Sequence, residues 1–234
     1  MATEIPSKLT LTYFKIGGRA EAIRLAAAAG KVPFTNKTIS FPEFAELKKS
    51  FPLGQVPILE IEMPSGEKST ITQSDAILRY FGKRGGLYPT DDLLAMKVDS
   101  TLNILEDLSA TLVLTVKGAK GVGLSENDWT SEEKISIRQT WVEKSLPRFL
   151  SPIETDLKAS KSGWIVGDSV TIADLLLYAK LNWIKGGVLD GIPPEVLNDY
   201  PACLALFEKV KTVGGIKEWM ETYSVPYESF DYQP

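Results

Sequence analysis

A tyrosine, an arginine, a Val-Pro pair and a serine stand at spaced points in the first third of the chain, and no histidine stands anywhere. Tyr13 lies near the end of Leu9-Thr10-Leu11-Thr12-Tyr13-Phe14, whose alternation has the period of a strand. Gly17-Gly18 breaks that run. From Arg19 the apolar residues Ala22, Ile23, Ala26 and Ala27 recur at three and four, the stripe of a helix ending near Gly30. A phenol at such a junction stands where spare N–H groups and partial positive charge gather, at the carboxyl end of a strand where an open α/β sheet meets its ligands. A phenol placed there can act on a ligand. On this segment alone the plainer reading, a half-buried strand aromatic, stands first. Val56 precedes Pro57 and is pushed toward extended backbone that can pair with a peptide, with a simple turn proline as the other reading. Ser74 opens a helix, so its hydroxyl and the first N–H groups form an anion site, or an N-cap, or both.

Two absences narrow the chemistry further. Without histidine there is no Ser-His, Cys-His or His-metal arrangement, and Cys203 is the only cysteine, so no disulfide framework, zinc knuckle or redox pair forms within the chain. No metal site is expected. Cys203 lies in an apolar run and reads as core. With 234 residues, 44% apolar and 24% charged, the chain is an ordinary soluble protein, and its net charge of -4 with no basic stripe argues against nucleic acid. Residues 1–7 carry no signal pattern, and no run approaches the roughly 18 apolar residues of a membrane span. A cytoplasmic protein without membrane partners is expected.

The elements that must position these residues follow in order. Phe34 to Ser40 reads as a second strand and Pro42 to Lys49 as a short irregular or helical piece. Ile58, Leu59 and Ile61 form a third strand, joined by Pro64-Ser65-Gly66-Glu67 to a fourth at Ser69 to Thr72. A helix follows from Ser74 to about Arg84, closed by Gly85-Gly86. Beyond that the strand signals stop. A first domain of residues 1–86 and a linker of 87–93 are expected to precede an all-helical domain over 94–234. Leu94, Val98, Leu102, Leu105, Leu112 and Val116 mark a long helix, and Ser131 to Lys158 a second, bent where Pro147 and Pro152 interrupt it. Thr171 and Asp174 form a capping box ahead of Leu175-Leu176-Leu177. Two further helices, broken at Gly214-Gly215, span Tyr200 to Met220, with Trp219 as packing anchor.

Tyr13-Phe14 before Gly18-Arg19, then Gln55-Val56-Pro57, Gln73-Ser74-Asp75-Ala76-Ile77 and the Thr171–Asp174 box resemble, in order and spacing, a cytosolic glutathione S-transferase of the tyrosine-using type. The sigma, pi and mu-like enzymes are nearest, sigma foremost. The resemblance implies a thioredoxin-like α/β first domain, βαβ then ββα, followed by an all-α domain. It also implies a homodimer that uses glutathione as co-substrate and no other cofactor. Tyr13 and Arg19 would ionise the thiol. A free thiol of pKa about 8.5 is only a few per cent thiolate at pH 7, and lowering it by about two units takes roughly 2.7 kcal/mol, within reach of one or two charge-assisted hydrogen bonds.

By the same resemblance the Val56-Pro57 bond would be cis, presenting Val56 to the cysteinyl part of glutathione. Gln55 and Pro57 would flank it, Gln73 and Ser74 would meet the γ-glutamyl carboxylate, and Lys48, with Lys49 as rival, the glycyl carboxylate. Asp99 would reach the γ-glutamyl ammonium in the neighbouring subunit. Phe14, Ile16, Leu105, Ser109 and Leu112 would line the pocket for a hydrophobic electrophile, with Tyr227 and Phe230 as candidates to close over it. Some positions depart from the pattern. Phe41 and Phe44 stand near the place of a tryptophan that often holds the glycyl end, Leu53 replaces a dimer-locking aromatic, and Ser109 replaces a second tyrosine. The implied activity is conjugation of hydrophobic electrophiles; a glutathione-dependent isomerase or peroxidase, or a low-turnover, crystallin-like binding protein, are the alternatives.

Overall fold

The computed structural model describes residues 5–121, 123–223 and 230–233. Contacts gather them into two compact units: the residues up to Pro89 together with those from Lys211 onward, and Thr90–Val210.

In the first unit β1 (Lys8–Phe14), α1 (Glu21–Ala29) and β2 (Phe34–Ile39) form a βαβ element, with β1 and β2 parallel in the register Leu11↔Asn36. A short helix α2 (Phe41–Leu47) follows, started by reciprocal bonds between Ser40 and Glu43. The antiparallel hairpin β3 (Ile58–Glu62) and β4 (Lys68–Thr72) then leads into α3 (Ser74–Arg84). Residues in register across a sheet share a face, so Leu9, Leu11 and Tyr13 look the same way as Phe34 and Asn36. The other face carries Phe14, whose ring stacks on Phe41 of α2 at 4.5 Å. Helices cover the first face: the Phe34 ring meets Phe81 of α3 at 5.7 Å, and Arg24 of α1 bonds Asn36. Burying each large apolar side chain there contributes about 1.5–3 kcal/mol.

The second unit is helical. It holds α4 (Asp92–Gly121), interrupted at Gly118, then α5 (Ser131–Ala159), α6 (Ile172–Lys185) and α7 (Pro201–Val210). The Asp91 carboxylate accepts from the Leu94 N–H at 2.9 Å and starts α4 at residue 92, inside the stretch expected as linker. α5 runs through both Pro147 and Pro152 as one helix. Its core includes Leu102, Leu105 and Leu112 of α4, Leu150 of α5, Leu175 and Leu177 of α6, and Cys203 and Leu206 of α7, all closed to solvent. Cys203 is the core residue its apolar run suggests.

The end of the chain departs from the expected all-helical domain over 94–234. α8 (Gly214–Thr222) packs on α1, so closely that a Cβ at Gly215 would collide with the Ala28 carbonyl. Trp219 of α8 stacks on Phe34 at 6.1 Å and is the anchor its position suggests. β5 (Phe230–Tyr232) pairs antiparallel with β2, giving the sheet order β4-β3-β1-β2-β5. Three residues beyond the last helix carry too little alternation to announce a strand.

Candidate active site

Tyr13 reaches its place because β1 delivers it one residue before the strand ends. The chain then turns through Lys15, Ile16 and Gly17 into a 3-10 turn, Gly18–Ala20, that leads directly into α1. Gly18 has φ 49°, and a Cβ there would lie 2.7 Å from the Tyr13 oxygen, so both conformation and space demand glycine. The turn brings the Arg19 N–H onto the Tyr13 oxygen at 3.1 Å. The hydroxyl therefore accepts one hydrogen bond, and among the described residues it donates none. Burial pushes the phenol above its ordinary pKa, against the Arg19 N–H and the charges of Arg19 and Arg24, which pull it down. At neutral pH Tyr13 keeps its proton and is a donor.

The same turn meets the start of α3. Arg19 Nη1 points to Ser74 Oγ at 3.5 Å, the long end of a hydrogen bond. Ser74 is the first helical residue, and the capping position is held by Gln73, whose φ of 74° is rare for a non-glycine residue. Such a conformation concentrates at functional sites. Ser74 is thus not the N-cap. β3 arrives on the other side: the Val56-Pro57 peptide is cis, and the register Thr12↔Ile58 carries on to set Pro57 abreast of Tyr13. Gln55 is extended and exposed. The Lys48 stem runs past Gly54, one residue before Gln55, with its Cγ 3.3 Å from where a Gly54 Cβ would stand. Tyr13, Arg19, Lys48, Gln55, Val56, Pro57, Gln73 and Ser74 are all on the first unit.

Phe14 and Ile16 also belong here. Phe14 is half-buried between Tyr13, Phe41 and Phe44, and Ile16 is exposed. The other three expected pocket residues do not face an opening. Leu105, Ser109 and Leu112 are 0%, 3% and 0% exposed, and Ser109 Oγ donates to the Leu105 carbonyl of its own helix at 2.8 Å. Their spacing continues the stripe of Val98 and Leu102, the buried face of α4, and a stripe that closes a core cannot also line a pocket. Asp99 lies half-buried on α4. Tyr227 falls outside the described residues, and Phe230 is placed by its backbone in β5. A cavity of about 190 Å³ opens at the opposite end of the sheet, beside Lys8, Val32, Phe34 and Arg84, and contains none of these residues.

Arg24 was absent from the expected set. It is fully buried on α1 and donates to Asn36 Oδ1 at 2.9 Å, the Ile16 carbonyl at 2.8 Å and the Phe14 carbonyl at 3.3 Å. The signal was present: a charge between Ile23 and Leu25, ahead of four alanines, is buried only when paired.

Residues 9–83 match the family model of the glutathione S-transferase N-terminal domain, and residues 123–223 that of its C-terminal domain. The chain is 31% identical to glutathione S-transferase 1 of Ascaris suum, over 93% of its own length and 98% of the relative's. It is 26% identical to human hematopoietic prostaglandin D synthase, over 90% and 94%. The crystal structure of the glutathione S-transferase from Ascaris lumbricoides superposes with a TM-score of 0.73 at 28% identity, covering 94% of this chain and all of that one. The chain belongs to the glutathione S-transferase family.

Proposed function

We propose that the protein conjugates glutathione to hydrophobic electrophiles, with Tyr13 stabilising the thiolate. The observation that carries this reading is the Tyr13 hydroxyl, fixed by the Arg19 N–H, protonated at neutral pH and donating to no described residue. A bound thiol loses its proton to solvent. The sulfur anion accepts the Tyr13 hydrogen bond, then attacks carbon; the C–S bond forms, and a leaving group departs with its electron pair, or the electrons pass into an activated double bond. Tyr13 stays protonated throughout.

The tripeptide lies in strand-like fashion along Gln55-Val56-Pro57, its γ-glutamyl carboxylate at Gln73, Ser74 and the first N–H groups of α3. Lys48 takes the glycyl carboxylate in preference to Lys49, a choice the stem lying past Gly54 supports. Phe14 and exposed Ile16 supply apolar surface for the acceptor. Neither metal nor nucleotide enters this scheme. The protein acts as a cytosolic homodimer in which Asp99 serves the neighbouring subunit. No described helix is long and apolar enough to cross a membrane.

The test is ultraviolet difference spectroscopy of bound glutathione beside turnover of an aryl halide, in native protein and Tyr13→Phe. The thiolate band is expected in the native protein and lost in the variant, with kcat/KM falling about 100-fold, as for removal of one oxyanion donor. A variant that keeps both band and turnover sinks the proposal. Likeness to a protein named as a synthase favours a second reading, a glutathione-dependent isomerase on the same site. Stoichiometric consumption of glutathione decides for conjugation.

A further inference from the structure

The Tyr13 hydroxyl owes its position to a connection with no regular structure. Lys15 to Gly17 neither continue β1 nor belong to α1, yet together with Phe14, the last residue of the strand, this stretch must place the Arg19 N–H within bonding distance of the phenol oxygen. Its carbonyls turn inward. A buried carbonyl outside a helix or sheet needs a donor, and here one side chain supplies several. Arg24 Nη1 bonds the Ile16 carbonyl at 2.8 Å and reaches the Gly17 carbonyl at 3.5 Å, while Nη2 bonds the Phe14 carbonyl at 3.3 Å. Nε is held from the sheet by Asn36 Oδ1 at 2.9 Å, so the fan of donors is fixed at its base. The guanidinium carbon stands 5.9 Å from the centre of the Tyr13 ring.

We infer that Arg24 is a positioning residue for thiol activation: by clamping the Phe14, Ile16 and Gly17 carbonyls to α1 and β2, it sets where the Arg19 N–H holds the Tyr13 hydroxyl. Arginine is required because the planar fork serves several acceptors in fixed directions, whereas an ammonium is a point charge on a flexible stem. Arg24→Lys therefore keeps the charge and loses the clamp. The charged groups around the phenol are Arg19 from the turn, Arg24 itself, and Glu21, whose carboxylate lies beside Gly17.

The inference rests on Tyr13 being the group that meets the thiol, so Tyr13→Phe is measured alongside. The readouts are the pKa of bound glutathione, by ultraviolet difference titration, and kcat/KM with an aryl halide; near-ultraviolet circular dichroism and urea unfolding follow the fold. Arg24→Lys is expected to raise the thiol pKa by about one unit and lower kcat/KM about tenfold while remaining folded. Asn36→Ala, which frees only the base of the fan, should move both in the same direction by less, and is the variant read if Arg24→Lys does not fold. A folded variant with lowered stability but the native thiol pKa overturns the positioning role. If Tyr13→Phe itself keeps the native thiol pKa, the proposed function fails instead.

Discussion

Two places where the chain enters a helix hold a polar side chain almost wholly out of solvent, and they treat it in opposite ways. At the start of α6, Asp174 is 0% exposed and its oxygens are occupied by the chain itself: Oδ1 accepts from the Ile165 N–H at 2.9 Å, and Oδ2 from the Thr171 N–H at 2.8 Å and the Thr171 hydroxyl at 3.1 Å. Ahead of α1, Tyr13 is 6% exposed, accepts one hydrogen bond from Arg19 and passes its proton to no described residue. Burial alone does not separate structure from chemistry. What separates them is the capacity left over once the chain has satisfied itself.

The largest effect that would break this comparison is Asp174→Ala. Removing the carboxylate leaves the half-buried Ile165 N–H and the buried Thr171 N–H without their acceptors, at about 1–3 kcal/mol for each orphaned group. A loss of about 3 kcal/mol is expected in urea unfolding, with kcat per folded molecule unchanged. A loss below about 1 kcal/mol would mean the box is not saturated as described. Gly18→Ala tests the other side. The added methyl sits at φ 49° and 2.7 Å from the Tyr13 oxygen, so the hydroxyl must move. A fall of about thirtyfold in kcat/KM, about 2 kcal/mol in the transition state, is expected with about 1 kcal/mol lost from stability. Native kcat/KM in this variant would show that the position of the hydroxyl does not matter.

The same contrast explains what could be read from the sequence. The Thr171–Asp174 box was legible because its partners are three residues apart, and the strand carrying Tyr13 because alternation is local. Ser40 and Glu43 have the same spacing, yet Pro42 between them masks the helix they start. Arg24 was missed because its acceptors are carbonyls eight and ten residues back and an asparagine on another strand, which no local pattern encodes. Leu105, Ser109 and Leu112 went the other way. Their period fixes a face of α4 but not what that face meets, and it meets the core. β5 pairs with a strand nearly two hundred residues earlier, a separation at which short strands carry no signal.

Acidity sharpens the comparison at smaller cost. Burial raises Asp174 from 3.8 to about 6, against the N–H groups of Ile165, Thr171 and Asp174 itself and the Thr171 hydroxyl, which favour its ionised form. Its folded pKa thus lies above its unfolded one, so protonation favours the folded state, and the contribution is present at low pH and lost as pH rises through about 6. Between pH 7 and pH 5 the folded carboxyl takes up most of a proton while the unfolded one takes up almost none. The stability gap between native protein and Asp174→Ala should therefore widen by about 1.4 kcal/mol on acidification from pH 7 to pH 5. Parallel urea titrations at the two values measure it. Tyr13→Phe should leave the gap to native protein flat over the same interval, because a phenol whose pKa lies above its ordinary value does not titrate there. A gap that narrows for Asp174→Ala would mean these donors outweigh burial, and the box would then hold its charge as firmly as the other junction holds its proton.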